Sequence, residues 1–291
     1  MNRIMEDIKM FLFAYFYQLE NEMNGNSKIL KGIKFQSEEA NTDEELKKFF
    51  KEYITKNNKI KSSISCNKLK VVTRNKEQEI DVKQLGNILI RTVYLPHELT
   101  PKMKADIAQM KDSVYTNPDL LLEIENGDKI TYVSVELKST KGDTIPGSSV
   151  QQVSPYEWVI FVKHSNTSVE TSCGFYINSI TERLPFPDRS PRPIIGHKAM
   201  EEWNEKNRTN SNGILKYFID EELDEKKKLI LINWEYALCA EWLETIHQEK
   251  KKSEKWFNNT IRLYTLELIK LIENDPEKMA ELKTKLQRNI K

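Results

Sequence analysis

The stretch Pro118-Asp119-Leu-Leu-Leu-Glu-Ile-Glu-Asn126-Gly127-Asp128-Lys129-Ile-Thr-Tyr-Val-Ser-Val-Glu136-Leu137-Lys138 decides how the rest of the chain is read. Two strand-like runs, Asp119 to Ile124 and Ile130 to Leu137, flank Asn126-Gly127-Asp128, a turn sequence suited to the positive φ that tight hairpin loops require. If Gly127-Asp128 is the loop, Asn126 pairs with Lys129 and Asp119 falls opposite Glu136. If the loop is Asn126-Gly127, Asp119 falls opposite Ser134 and diagonal to Glu136. Side chains alternate along a strand, so in either register Asp119, Glu136 and Lys138 share one face. The other face collects Leu120, Leu122, Ile124, Val133, Val135 and Leu137, a coherent surface to bury.

Two carboxylates about 5 Å apart across a strand pair repel each other, which ordinarily destabilises a sheet. A hard divalent cation removes that repulsion. Magnesium takes oxygen ligands, commonly one or two carboxylates completed by water and substrate phosphate, so Asp119, Glu136 and the carbonyl of Leu137 make an incomplete shell. An ammonium at Lys138 suits orienting an attacking water or neutralising charge on a phosphorane. An acid-x-Lys triplet alone is a weak signal in a chain this charged. Others occur at Asp7/Lys9, Glu45/Lys47, Asp81/Lys83, Asp224/Lys226, Glu249/Lys251 and Glu281/Lys283, and most lie in helical or charged segments.

Pro118-Asp119 followed by Glu136-Leu137-Lys138 resembles the Pro-Asp…(Asp/Glu)-x-Lys motif of the PD-(D/E)XK nuclease superfamily, which includes most type II restriction endonucleases. The resemblance implies an α/β fold: a restriction-endonuclease-like core with a mixed central β-sheet flanked by helices, here with a helical C-terminal region. It implies Mg2+-dependent, sequence-specific hydrolysis of phosphodiester bonds in double-stranded DNA, with Asp119, Glu136 and Lys138 catalytic and Asp119, Glu136 and Leu137 holding the metal. A homodimer is implied because cutting both strands of a symmetric site calls for a twofold pair of sites. Two other readings stay open: a repair or structure-specific nickase, and a non-catalytic DNA-binding or scaffold protein on the same fold. The chain departs from the family between Ser139 and Pro155, where Gly142, Pro146 and Gly147 leave room only for a short helix near Ser148 to Val153. Members also supply an acid from the first helix, for which Glu44, Glu45 and Glu79 are candidates.

Outward from the hairpin, Pro101 to Asp112 predicts a helix with proline in its first turn. Ser37 to Lys56 predicts another, with a capping start at Asn41-Thr42 and Leu46, Phe49, Phe50 and Ile54 at helical spacing. Ile4 to Met23 is too uniformly apolar for a narrow stripe, which predicts a helix packed on more than one neighbour. Its acidic start at Glu6-Asp7 and the lack of a small-residue cleavage site argue for a core helix over a leader. Leu69, Val71 and Val72 suggest a short strand, Trp158 to Val162 a strand buried on both faces, and Gly174 to Ile180 a further strand. Arg183 to His197 is proline-rich and expected as a loop, and Lys198 to Lys291 as consecutive helices. The expected division is 1–197, a nuclease core, and 198–291, a helical region for dimerisation or a DNA clamp.

With 45 basic and 44 acidic residues the chain has no overall basic excess, so a DNA-binding field has to come from local clusters. One is the lysine-rich stretch from Lys56 to Lys76, including Lys59, Lys61, Lys68, Lys70 and Arg74, read equally well as a solvated loop. Nearer the motif are Lys141, Ser148, Ser149, Gln151 and Gln152, then Arg183, Arg189 and Arg192, residue types that suit base edges and phosphates. Three scattered cysteines give neither a disulfide framework nor zinc spacing and are expected as buried thiols. No apolar run reaches the roughly 20 residues of a spanning helix, which predicts a cytoplasmic protein that does not enter a membrane. His97, His164 and His247 lack ligand or triad spacing.

Overall fold

The computed structural model describes residues 3–26, 28–31, 33, 44–111, 118–149, 153–165, 167–181, 192–247 and 255–289. The protein is α/β, with mixed sheets flanked by helices and a helical C-terminal region. In chain order the elements are α1 (Arg3–Gly25), α2 (Lys28–Lys31), α3 (Glu44–Lys56), β1 (Lys68–Val72), β2 (Glu77–Asp81), β3 (Leu89–Tyr94), α4 (Pro101–Lys111), β4 (Leu120–Asn126), β5 (Lys129–Thr140), β6 (Thr144–Pro146), β7 (Trp158–His164) and β8 (Val169–Phe175). There follow α5 (Tyr176–Ser179), β9 (Ile194–Gly196), α6 (His197–Asn207), β10 (Arg208–Ser211), β11 (Ile214–Phe218), α7 (Glu221–Ile232), α8 (Trp234–His247), α9 (Lys255–Asn274) and α10 (Pro276–Asn289).

The five-stranded central sheet runs β3-β4-β5-β7-β8. Strands β3, β4 and β5 form an antiparallel meander, β7 joins β5 in parallel, and β8 returns antiparallel. The hairpin adopts the register with Asn126 opposite Lys129 and Leu120 opposite Val135. Gly127 has φ +62° at the first loop position, which fits the glycine of a type II′ turn. Leu120, Leu122, Ile124, Val135 and Leu137 are all buried in the main core, and Val133 packs at its margin. That core is built around α1. Phe16 stacks on Trp158 at 4.5 Å between ring centroids, and Phe13 meets Trp158 edge-on.

The middle of α1, Met10 to Phe16, is buried on every side because a second sheet covers its far side. Strands β10-β11-β1-β2 form that sheet, with β1 parallel to β11, and Leu69, Val71, Leu215 and Tyr217 join the same core. The Tyr217 hydroxyl donates to the carbonyl of Phe13 at 3.2 Å. Beneath it, Glu20 of α1 accepts from Arg208 and from the Cys173 amide, tying α1 to β10 and β8.

Several expectations change. Residues 208–218 are strands, not helix, because Asn212-Gly213 turns the chain at positive φ and Leu215 and Tyr217 alternate inward. The compact first unit therefore extends to Ile232, and the boundary expected at 197/198 falls at 232/233. The strand expected over Gly174 to Ile180 is the end of β8 followed by α5. Part of the expected 183–197 loop is β9, and α6 starts at His197; residues 182–191 lie outside the described set. Helix α3 starts at Glu44, with 34–43 outside the description. Ser148 and Ser149 are not helical, and 150–152 are not described. Cys66 and Cys173 are buried as expected, whereas Cys239 is exposed. Among the described residues no helix is long and apolar enough to cross a membrane.

Candidate functional site

Asp119 stands one residue before β4, so extending the hairpin register sets it opposite Glu136, on the face turned away from α1. Both carboxylates are buried, at 6% and 8% exposure. One oxygen of Asp119 accepts from the Leu137 amide at 2.9 Å and the other lies 3.2 Å from the Lys47 ammonium. In an extended strand a residue's N–H and C=O point to the same edge, so the Leu137 carbonyl also faces the Asp119 side. Glu136 is 2.8 Å from the Lys138 ammonium and accepts from the Ser148 hydroxyl. Lys138 in turn donates to the Ser148 oxygen at 2.8 Å. The hairpin thus brings Asp119, Glu136, Leu137 and Lys138 together.

The electrostatics follow from burial. Desolvation, then the Glu136 charge, push the Asp119 carboxyl up to about 6, against the pull of Lys138, Lys47 and the Leu137 amide. For Lys138 burial acts downward, yet Glu136 and Asp119 outweigh it and hold the ammonium above its ordinary value, with a smaller contribution from Glu157. Glu157 itself is buried just ahead of β7. It lies on the Glu136 face, because Glu136 pairs with Val159 two residues on.

Two residues in this cluster had no signal in the motif. Lys47 belongs to one of the acid-x-Lys triplets set aside as helical, and α3 carries it to Asp119. Of the acids considered for the first helix, Glu44 approaches only through Lys47, at 3.6 Å, while Glu45 pairs with Lys48. Glu79 sits on β2 of the other sheet, paired with Lys68 and Lys70. The third buried carboxylate is Glu157, whose only sequence cue is its position before the buried run at Trp158.

The segment after the motif is anchored, not free. Strand β6 pairs with β9, and the Gly147 amide donates to the Pro193 carbonyl at 2.8 Å. A β-carbon at Gly147 would lie 2.2 Å from the Tyr176 hydroxyl and 2.8 Å from the Pro193 carbonyl, so only glycine fits. Tyr176 donates to the Ser148 carbonyl at 3.3 Å, which fixes the Ser148 hydroxyl between Glu136 and Lys138. Ser149 is buried and Lys141 is exposed. The charge of Arg192 acts on the Tyr176 hydroxyl, which puts this arginine near the cluster. Gln151, Gln152, Arg183 and Arg189 lie outside the described residues. The lysine-rich stretch is largely taken up by ion pairs: Lys61 with Glu22, Lys70 with Glu77, Lys76 with Glu6 and Arg74 with Glu222.

Chemically, the donors at the cluster are oxygens and the positive charges are ammoniums. A small hard cation fits that set, since it would join two buried carboxylates that repel, of which Asp119 is otherwise driven toward protonation by burial. No family model, no curated protein and no solved structure matches the chain.

Proposed function

We propose that the chain is a magnesium-dependent endodeoxyribonuclease of the PD-(D/E)XK kind, acting on double-stranded DNA as a type II restriction endonuclease. The observation that carries this reading is the convergence of Asp119, Glu136 and Lys138 on one sheet face, with the Asp119 carboxylate bonded to the backbone of Leu137. Asp119, Glu136 and the Leu137 carbonyl would hold the ion, which supplies Lewis-acid activation of water and charge stabilisation at the phosphate. Lys138 keeps its proton, so it serves as donor and counter-charge to the pentavalent phosphorus. Ser148 orients the Lys138 ammonium. Lys47 neutralises Asp119 when no cation does. The fold around the motif also suits the reading: a meander, a parallel crossover and flanking helices. A twofold dimer is part of the proposal, because one such cluster per chain serves one strand.

A second reading rests on burial. Asp119 and Glu136 are nearly closed off, and Lys47 and Lys138 already neutralise them, which also describes a structural ion cluster in a non-catalytic DNA-binding or scaffold protein. Plasmid cleavage separates the two. Purified protein with supercoiled plasmid DNA and Mg2+ is expected to give discrete linear fragments, abolished by chelator. Glu136→Gln should lower the rate on the order of 10²–10³-fold. Cutting that survives chelation or Glu136→Gln would overturn the assignment, nicked circles alone would mark a nickase, and uncut plasmid bound equally by wild type and variant would favour the scaffold.

A further inference from the structure

His197 opens α6 and is 1% exposed, yet neither ring nitrogen has a hydrogen-bond partner. Burying an imidazole so completely without pairing it is unfavourable, and such a group calls for an explanation. Its surroundings offer one. Glu201 lies one helical turn further along α6, and Glu170 projects from β8. One ring nitrogen of His197 and one oxygen from each glutamate lie within 4.8 Å of one another.

We propose that His197, Glu201 and Glu170 bind a first-row divalent transition ion, with zinc the fitting representative, that ties α6 to β8. A nitrogen-plus-two-carboxylate set is a familiar ligand type for such ions, whereas the imidazole disfavours magnesium and calcium. Ligands about 2.0–2.2 Å from a tetrahedral ion stand about 3.4 Å apart, so the two exposed glutamates need to close by roughly an ångström around a fixed histidine. Burial, then the Lys163 charge, hold the imidazole down at about 4, which leaves it neutral with a lone pair at physiological pH. Burial and the charges of Glu170 and Glu205 hold the Glu201 carboxyl above its ordinary range, a repulsion that a cation relieves. Lys163 faces Glu170 across β7 and β8, but its ammonium is engaged by Asp143 at 2.7 Å.

The cluster shares a sheet face with Glu136 and Lys138. Phe161, which pairs with Lys138, packs edge-on against His197 and stands between the two groups. By strand spacing Glu136 and Glu170 are about 16 Å apart, so the two sites do not share ligands. The proposal does not rest on nuclease activity.

The test is zinc binding by the full chain after chelator treatment and dialysis, read by competition with a chromophoric chelator and by thermal unfolding. One zinc per chain and a raised unfolding temperature are expected. Glu170→Gln and Glu201→Gln, both at exposed positions that do not threaten folding, should each weaken zinc binding about tenfold or more. Asp119→Asn/Glu136→Gln should leave it unchanged. Failure to bind zinc, affinity unaltered by either glutamate variant, or binding lost in the Asp119→Asn/Glu136→Gln protein would overturn the proposal.

Discussion

At Asp119 the carboxyl titrates near 6, above the ordinary value of about 3.9. The folded chain therefore holds this proton more tightly than the unfolded one. Its contribution is fully present below the unfolded value and is lost as pH rises through about 6. Asp119→Asn removes the titration, so the unfolding free energy of the variant relative to wild type should climb between about pH 4 and 6 and level off above. Denaturant unfolding across that range measures it; a flat difference would contradict the burial and charge argument. Under the nuclease reading, Mg2+ should stabilise wild type progressively more over the same interval, because the ion needs the ionised form. Lys138→Ala leaves Glu136 without its ammonium, and under the nuclease reading cleavage should fall on the order of 10²-fold or more with little change in DNA binding. The face shared by Asp119, Glu136 and Lys138 was legible from alternation alone. Lys47 and Glu157 were not, since a helix–sheet contact and a parallel pairing brought them in, and neither has a local spacing rule.

At the level of elements, the β4–β5 hairpin was readable because turn chemistry and side-chain period agreed, although the sequence left two loop positions, and so two registers, of which the structure adopts the one with Asn126 opposite Lys129. Strands β10 and β11 went unread because they are short, mostly exposed on alternate residues and set among helical segments. The β6–β9 pair was missed for a similar reason: three residues each, joined across distant sequence. That pair nonetheless sets where Ser148 stands. Gly147→Ala should destabilise the protein by about 1–3 kcal/mol through overpacking against Tyr176 and Pro193. It should also reduce cleavage under the nuclease reading, because the clash displaces the segment that carries the Ser148 hydroxyl. Chemical denaturation and plasmid cutting on the same preparation check both effects, and a variant as stable as wild type would contradict the close packing.

On the scale of the molecule, the core of the first unit draws on residues from Ile8 to Tyr217. A chain ending at Ile232 should therefore unfold cooperatively, as judged by coincident far- and near-ultraviolet circular dichroism. One ending at His197 loses α6, β10 and β11, exposes the edge of β1 and uncovers α1, and it should aggregate or lack a cooperative transition. Equal behaviour of the two fragments would contradict the boundary at 232/233. The helical tail was recognised as distinct from composition, but its start was displaced because a break in helical character near residue 197 is not the same as a break in the core.

Tyr217 and Phe13 are bonded although 204 residues apart in sequence. Helix α1 is thus synthesised well before β10 and β11, which complete the sheet that β1 and β2 begin on its outer side. Nascent protein must carry that partly covered surface until β10 and β11 are made, and non-local closure of this kind is slow. Translation speed and chaperone supply, more than final stability, should then govern how much of it reaches the native state.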